Sequence, residues 1–180
     1  TERLYLRQLE EKDYDFVREM LQDERVVYAY EHTFSDKEVR VWLDAQLARY
    51  QSYGFGLWAV VLKDTEDMIG QAGLSRQRWK GKQILELGYL FKDNFRHKGY
   101  GTEAALACRD YAFRALGEKE IYTKVRWDNE ASHRVARNLG MEKIQEFIIR
   151  YYGKSMRHDL YRVCNPDLPF AHARSEAESC

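Results

Sequence analysis

Leu4-Tyr5-Leu6-Arg7-Gln8-Leu9 alternates apolar and polar positions, the period of a strand with one buried face. From residue 13 to 21 the period changes, and Phe16, Val17, Met20 and Leu21 recur at helical spacing. Ser35-Asp36-Lys37-Glu38 sets a hydroxyl three residues ahead of a carboxylate, the capping-box pattern. Val39, Leu43, Leu47 and Tyr50 follow at three- and four-residue steps, which predicts an amphipathic helix to about Tyr53. Residues 55–62, 68–74 and 84–91 are rich in aromatic and branched side chains and are separated by polar turns at 63–67 and 79–82. Three strands with short turns predict an antiparallel meander.

Beyond Phe91 a polar, basic loop leads through Gly99-Tyr100-Gly101-Thr102 into an Ala-rich helix to about Leu116. Residues 120–125 read as a strand and 129–139 as a helix stopped by Gly140. Residues 142–152 and 155–163 read as a hairpin about Gly153-Lys154. A strand, crossover helix and strand in this order require a parallel pairing. The expected fold is therefore α/β of the α+β type. It is a mixed, mostly antiparallel sheet of about seven strands with helices on both faces. One domain is expected over residues 1–164, with a loose tail over 165–180, where Pro166, Pro169 and a Ser/Glu/Ala-rich end stand.

Size and charge narrow the function. A chain of 180 residues fits one domain. Its 29 basic and 29 acidic residues cancel, which disfavours general nucleic-acid or anionic-membrane binding. No apolar run approaches the roughly 18 residues of a membrane span, and no apolar signal core follows Thr1. Cys108, Cys164 and Cys180 have neither metal spacing nor a disulfide framework, so no metal is expected and a reducing cytoplasmic setting is. The aromatic content and sheet edges leave a homodimer open.

The chemistry concentrates in Arg96-His97-Lys98-Gly99-Tyr100-Gly101-Thr102, between a strong strand and a strong helix. A helix start exposes unpaired N–H groups and a positive dipole end, and glycines let that backbone approach an anion. Three basic side chains stand alongside, so the stretch reads as a phosphate or pyrophosphate pocket, against a solvated, glycine-eased loop. Gly99-x-Gly101-x-x-Ala104 formally fits the dinucleotide fingerprint, with Glu120 near the distance of its ribose acid. That fingerprint normally opens a parallel domain, whereas this loop follows a meander. The phosphate-loop ending Gly-Lys-Ser/Thr is absent.

Arg96-x-x-Gly99-x-Gly101 resembles the acyl-coenzyme-A pyrophosphate loop of the GNAT superfamily of N-acetyltransferases. Glu86-Leu87-Gly88-Tyr89-Leu90 is similar to that family's central strand. Asn129-Glu130-Ala131-Ser132 with Leu139-Gly140-Met141 resembles its second coenzyme segment, and Asp159 and Tyr161 also fit. The subgroup resembled most is the ribosomal-protein N-terminal (alanine-type) acetyltransferases, over residues 3–163. Asp93-Asn94-Phe95 replaces the usual proline, Asn138 a common lysine, and Met141 a common phenylalanine. A tyrosine used as acid by many relatives would fall near Ala136.

The resemblance implies direct transfer of acetyl from acetyl-CoA to an amine, a protein or peptide N-terminus or else a small amine such as a polyamine or antibiotic. A non-catalytic acyl-CoA sensor stays open beside these. It implies that the main chains of Tyr89, Leu90 and Phe91 pair with the pantetheine arm and that Arg96, His97, Lys98, Gly99, Tyr100, Gly101 and Thr102 hold the pyrophosphate. Asn129 contacts the arm, or only caps its helix. Ser132 protonates the leaving thiolate, or serves its own helix. Glu86 is the base, through water, or a structural carboxylate paired with a basic neighbour. Arg134 and Arg137 meet the ribose 3′-phosphate or are solvated. Cys108, Trp42 and Trp58 are expected to pack in the core, and Tyr151, Tyr152 and Tyr161 to pack strands or line an acceptor cleft.

Overall fold

The computed structural model describes residues 1–168, so the tail expected from residue 169 onward lies outside the described residues. Asn165, at the head of that tail, is buried: its N–H donates to the Lys119 carbonyl at 2.8 Å and its amide to the Glu118 carbonyl at 3.2 Å.

Among the described residues, seven strands form one sheet in the order β1-β2-β3-β4-β5-β7-β6. They are β1 (Leu4–Arg7), β2 (Leu57–Leu62), β3 (Met68–Trp79), β4 (Lys82–Phe91), β5 (Glu120–Arg126), β6 (Glu142–Tyr151) and β7 (Lys154–Cys164). All neighbours are antiparallel except β4 and β5. The meander and the mixed sheet are as expected. Strand β3 runs five residues beyond its apolar part, because Ser75 to Trp79 pair in register with Lys82 to Glu86. The β3–β4 and β6–β7 hairpins turn on Lys80-Gly81 and Tyr152-Gly153, all four residues at positive φ, the geometry that matches strand twist in a two-residue turn. The second turn therefore lies one residue earlier than the sequence suggests.

Helices α1 (Tyr14–Gln22), α2 (Glu24–Val27) and α3 (Asp36–Tyr53) share one core with the sheet, built on Val17, Met20, Leu21, Val39, Leu43, Ala59 and Val61. The other face takes α4 (Tyr100–Arg114) and α5 (Glu130–Asn138). Ala104, Ala105, Cys108 and Ala112 of α4 are buried against Leu85, Leu87 and Phe91, so small side chains let that helix lie close on β4. Burial pushes the Cys108 thiol up to about 12, so it is an inert packing group. Trp42 and Trp58 also pack on the core as expected.

The capping box on α3 is formed: the Glu38 N–H donates to Ser35 Oγ and the Ser35 N–H to Glu38 Oε2 at 2.8 Å. Helix α2 and the 3-10 turn after it, residues 28–30, had no sequence signal. They are held from outside. Arg126 of β5 donates to the Tyr28 carbonyl at 2.7 Å and pairs with Glu31 at 3.0 Å.

Candidate active site

Strands β4 and β5 touch at one register pair, Glu86 with Tyr122, and both run on past it. Beyond that point they part. The Lys92 N–H donates to the Ile69 carbonyl of β3 at 3.1 Å. Antiparallel alternation then turns the main chains of Leu90 and Gly88 toward β3 as well, and those of Tyr89 and Phe91 toward the gap. Of the three residues expected to offer main-chain groups, Tyr89 and Phe91 do so, while Leu90 is engaged with Gln71. Because β4 and β5 are parallel, the N-termini of α4 and α5 follow their carboxyl ends on one edge of the sheet. Ligands of α/β sheets bind at such an edge.

Helix α4 starts without a side-chain cap, behind Gly99 at φ +85°. Its first N–H donors are therefore available to an anion. The three cations expected there divide. His97, at φ 61°, and Lys98 are exposed on the loop. The Lys98 ammonium lies 5.3 Å from the Phe95 ring centre. Arg96 turns back instead: it donates to the Arg25 carbonyl at 3.0 Å, pairs with Asp93 at 3.5 Å and lies 5.6 Å from the Tyr28 ring centre. Its guanidinium is already partnered by the α2 segment and is not spread over the loop. The cation that does reach the loop is Arg3, which donates to the Lys98 carbonyl at 3.0 Å. A groove of about 690 Å³ runs alongside, lined by Arg3, Gly99, Thr102, Glu103, Leu106 and Asn138.

Asn129 caps α5, its Oδ1 accepting from the Ser132 N–H at 3.1 Å. Burial pushes the Tyr89 phenol up to about 12, opposed in part by the Ser132 side chain at the start of α5. Glu86 lies on the opposite face of β4 from Tyr89, since neighbours at odd spacing alternate. There Lys124 Nζ donates to Glu86 Oε2 at 2.6 Å, with both side chains about one-fifth exposed. Lys124 had no signal of its own, although its alternation with Tyr122 and Arg126 along β5 puts all three on one face.

The segment after α2 covers this face. Tyr28 stands between Arg96 and Arg126, the latter 5.8 Å from its ring centre, so one arginine comes from the loop that follows β4 and the other from β5. Arg126 Nε is 2.9 Å from Asp128 but off line, and it makes no hydrogen bond. Tyr30 packs edge-on against Tyr151 at 6.3 Å, and His32 stacks on Tyr152 at 3.5 Å. Desolvation around the Tyr30 hydroxyl, with Tyr151 and Glu86 nearby, pushes that phenol to about 12, although 37% of the residue is exposed. Tyr151 and Tyr152, expected to pack strands or line an acceptor cleft, both pack against rings of the segment after α2. Tyr161 accepts a different task. Its hydroxyl lies 2.9 Å from His133 Nδ1, and His133 Nε2 lies 3.1 Å from the Trp127 carbonyl, which ties α5 to β7. Buried His158 holds the Met156 carbonyl through Nδ1 at 3.1 Å; burial, with Arg126 and Lys124 nearby, pushes its pKa down.

No group of metal-ligating side chains occurs among the described residues, and no helix there is long and apolar enough to cross a membrane. Residues 3–142 match the acetyltransferase (GNAT) domain family. YkkB of Bacillus subtilis (strain 168) is 30% identical over 158 residues, 87% of each chain. A GNAT-family acetyltransferase from Bacillus anthracis superposes with a TM-score of 0.77 at 23% identity, over 91% of this chain and 95% of that one. Two further solved structures share the fold. The ribosomal-protein-S5-alanine acetyltransferase of Vibrio fischeri has a TM-score of 0.75 at 22% identity, covering 93% and 96%. The spermidine N-acetyltransferase of Vibrio cholerae, bound to CoA and spermine, has 0.76 at 16%, covering 92% and 97%. With the parted parallel pair and the uncapped glycine turn, these matches establish that the chain belongs to the GNAT family and is an acetyl-CoA-dependent acetyltransferase.

Proposed function

We propose that this enzyme moves acetyl from acetyl-CoA directly to the primary amine at the end of a protein or peptide. The observation that carries the reading is the parted β4–β5 edge, with free main chain at Tyr89 and Phe91, an uncapped α4 and Glu86 on the far face. Tyr89 and Phe91 extend the sheet by pairing with the pantetheine arm. The amides from Gly99 to Thr102 hold the diphosphate, with His97 and Lys98 beside them. Asn129 keeps the first turn of α5 in register with the arm. The thioester supplies an activated acetyl group. Glu86, through water, takes the proton of the attacking amine, and Lys124 orients the carboxylate. Ser132, with Tyr89 behind it, gives a proton to the sulfur as the C–S bond breaks.

The acceptor face favours a singly charged amine over a polyamine. Glu31, Glu38 and Glu86 line the described approach. Each is already paired, with Arg126 and Lys154, with His32, and with Lys124 respectively. A polyamine needs carboxylates to spare. Tyr30 and Tyr151, 37% and 43% exposed, instead offer ring faces to one ammonium or to the side chain after it. The test is free-thiol release from acetyl-CoA with peptides of varied first residue against spermidine and aminoglycosides. Higher kcat/KM on a peptide is expected. Faster turnover of spermidine would reverse the acceptor reading, and coenzyme binding without turnover on any amine would leave a sensor.

A further inference from the structure

Arg3 lies 95 residues ahead of Lys98 in the chain, yet its side chain reaches the diphosphate loop. Its own carbonyl accepts from the Lys63 N–H at 3.0 Å, which anchors its main chain at the end of β2. Its N–H donates to Glu103 Oε1 at 2.9 Å and its Nε to Glu103 Oε2 at 2.7 Å. Its Nη1 donates to the Lys98 carbonyl at 3.0 Å, and its guanidinium carbon sits 4.5 Å from the Tyr100 ring centre. A Cβ on Gly99 would be 3.2 Å from its Nη2.

Two consequences follow from these contacts. Glu103 is the acidic residue in the first turn of α4, where its charge would repel a bound diphosphate. Arg3 neutralises that carboxylate and holds both its oxygens. The Lys98–Gly99 peptide is trans, so its carbonyl and N–H point opposite ways. With the carbonyl held by Arg3, the Gly99 N–H is turned to the side of the loop that Arg3 leaves open.

We infer that Arg3 is the positioning residue of the diphosphate loop, pairing Glu103 out of the anion's way and setting the direction of the Lys98–Gly99 peptide. This rests on the reading that the loop holds the coenzyme's diphosphate. The test compares acetyl-CoA with acetyl-pantetheine, a donor with the same thioester and no diphosphate. Arg3→Gln is expected to raise KM for acetyl-CoA about tenfold or more, the loss of a charge-assisted contact, with kcat and the acetyl-pantetheine KM unchanged. Adding Glu103→Gln to that variant should recover part of the loss, because the uncompensated charge is gone. An unchanged acetyl-CoA KM, or equal losses with both donors, overturns the inference. If Arg3→Gln does not fold, Arg3→Lys serves: lysine cannot span carboxylate and carbonyl together, so a severalfold rise confined to acetyl-CoA is expected, and a wild-type KM is fatal. Wild-type enzyme with no affinity for CoA would instead bring down the underlying reading of the loop.

Discussion

The two sides of the β4–β5 edge are built on different plans. The donor side is main chain: the exposed groups of Tyr89 and Phe91, the turn at Gly99 and the uncapped start of α4. It uses few side chains: those of the loop, Arg3, and Asn129 and Ser132 at the start of α5. The acceptor side is side chain throughout. Glu86 and Lys124 come from two strands, Tyr30 and His32 from the segment after α2, and Tyr151 and Tyr152 from the last hairpin. On the proposed reading, main-chain donors serve a diphosphate that is the same in every turnover, whereas side chains from separate segments can change acceptor without disturbing the donor grip. If this division holds, substitutions on one side should leave the other side's binding constant alone.

Glu86→Gln breaks the comparison hardest. It is expected to lower kcat about 100-fold or more, the size of a lost proton transfer, with the CoA dissociation constant unchanged by calorimetry. A variant retaining wild-type rate and pH profile removes Glu86 from the chemistry. Gly99→Ala acts on the other side. At φ +85°, and with its Cβ 3.2 Å from Arg3, alanine is strained by roughly 1–3 kcal/mol, so the coenzyme should bind about tenfold more weakly while kcat at saturation holds.

Arg126→Ala releases the cover over the acceptor face, because the Tyr28 carbonyl loses its side-chain donor and Glu31 keeps only Lys154. Its side chain is 16% exposed, so a loss of about 2 kcal/mol in denaturant stability is expected, with KM rising for the amine and not for acetyl-CoA. The smallest effect is one of pH. Hydrogen bonds from the Ser35 backbone and hydroxyl, with His32 beside them, hold the Glu38 carboxyl down at about 2, from an ordinary value of 4.5. A depressed carboxylate stabilises the fold fully above its unfolded pKa, and that contribution fades as pH falls from about 4.5 toward 2. The melting temperature should decline through that window, and Glu38→Gln should flatten this part of the decline.

How much was legible follows the same division. The capping box announced α3, because Ser35 and Glu38 interact across three residues. The glycine turn announced the donor loop, because a helix start and positive φ are local demands. Residues 22–34 announced nothing: α2 is four residues long, with no room for a period, and Arg96 and Arg126 hold the segment from far along the chain. The polar end of β3, residues 75–78, carried no strand signal, since its pairing with β4 and not its own composition makes it a strand. Arg96 was read as a loop cation because its neighbours are. Only the packed chain turns it onto Arg25 and Tyr28.

Local order along the chain was enough to determine the seven strands, every helix but α2, the parallel crossover and the glycine turn ahead of α4, since each depends on residues within a turn or two of one another. Tertiary structure alone decided that Glu86 meets Lys124, that Arg3 reaches a loop 95 residues away, and that Tyr30 and His32 meet Tyr151 and Tyr152. Those contacts join segments whose spacing in sequence carries no energy until the sheet register brings them within reach.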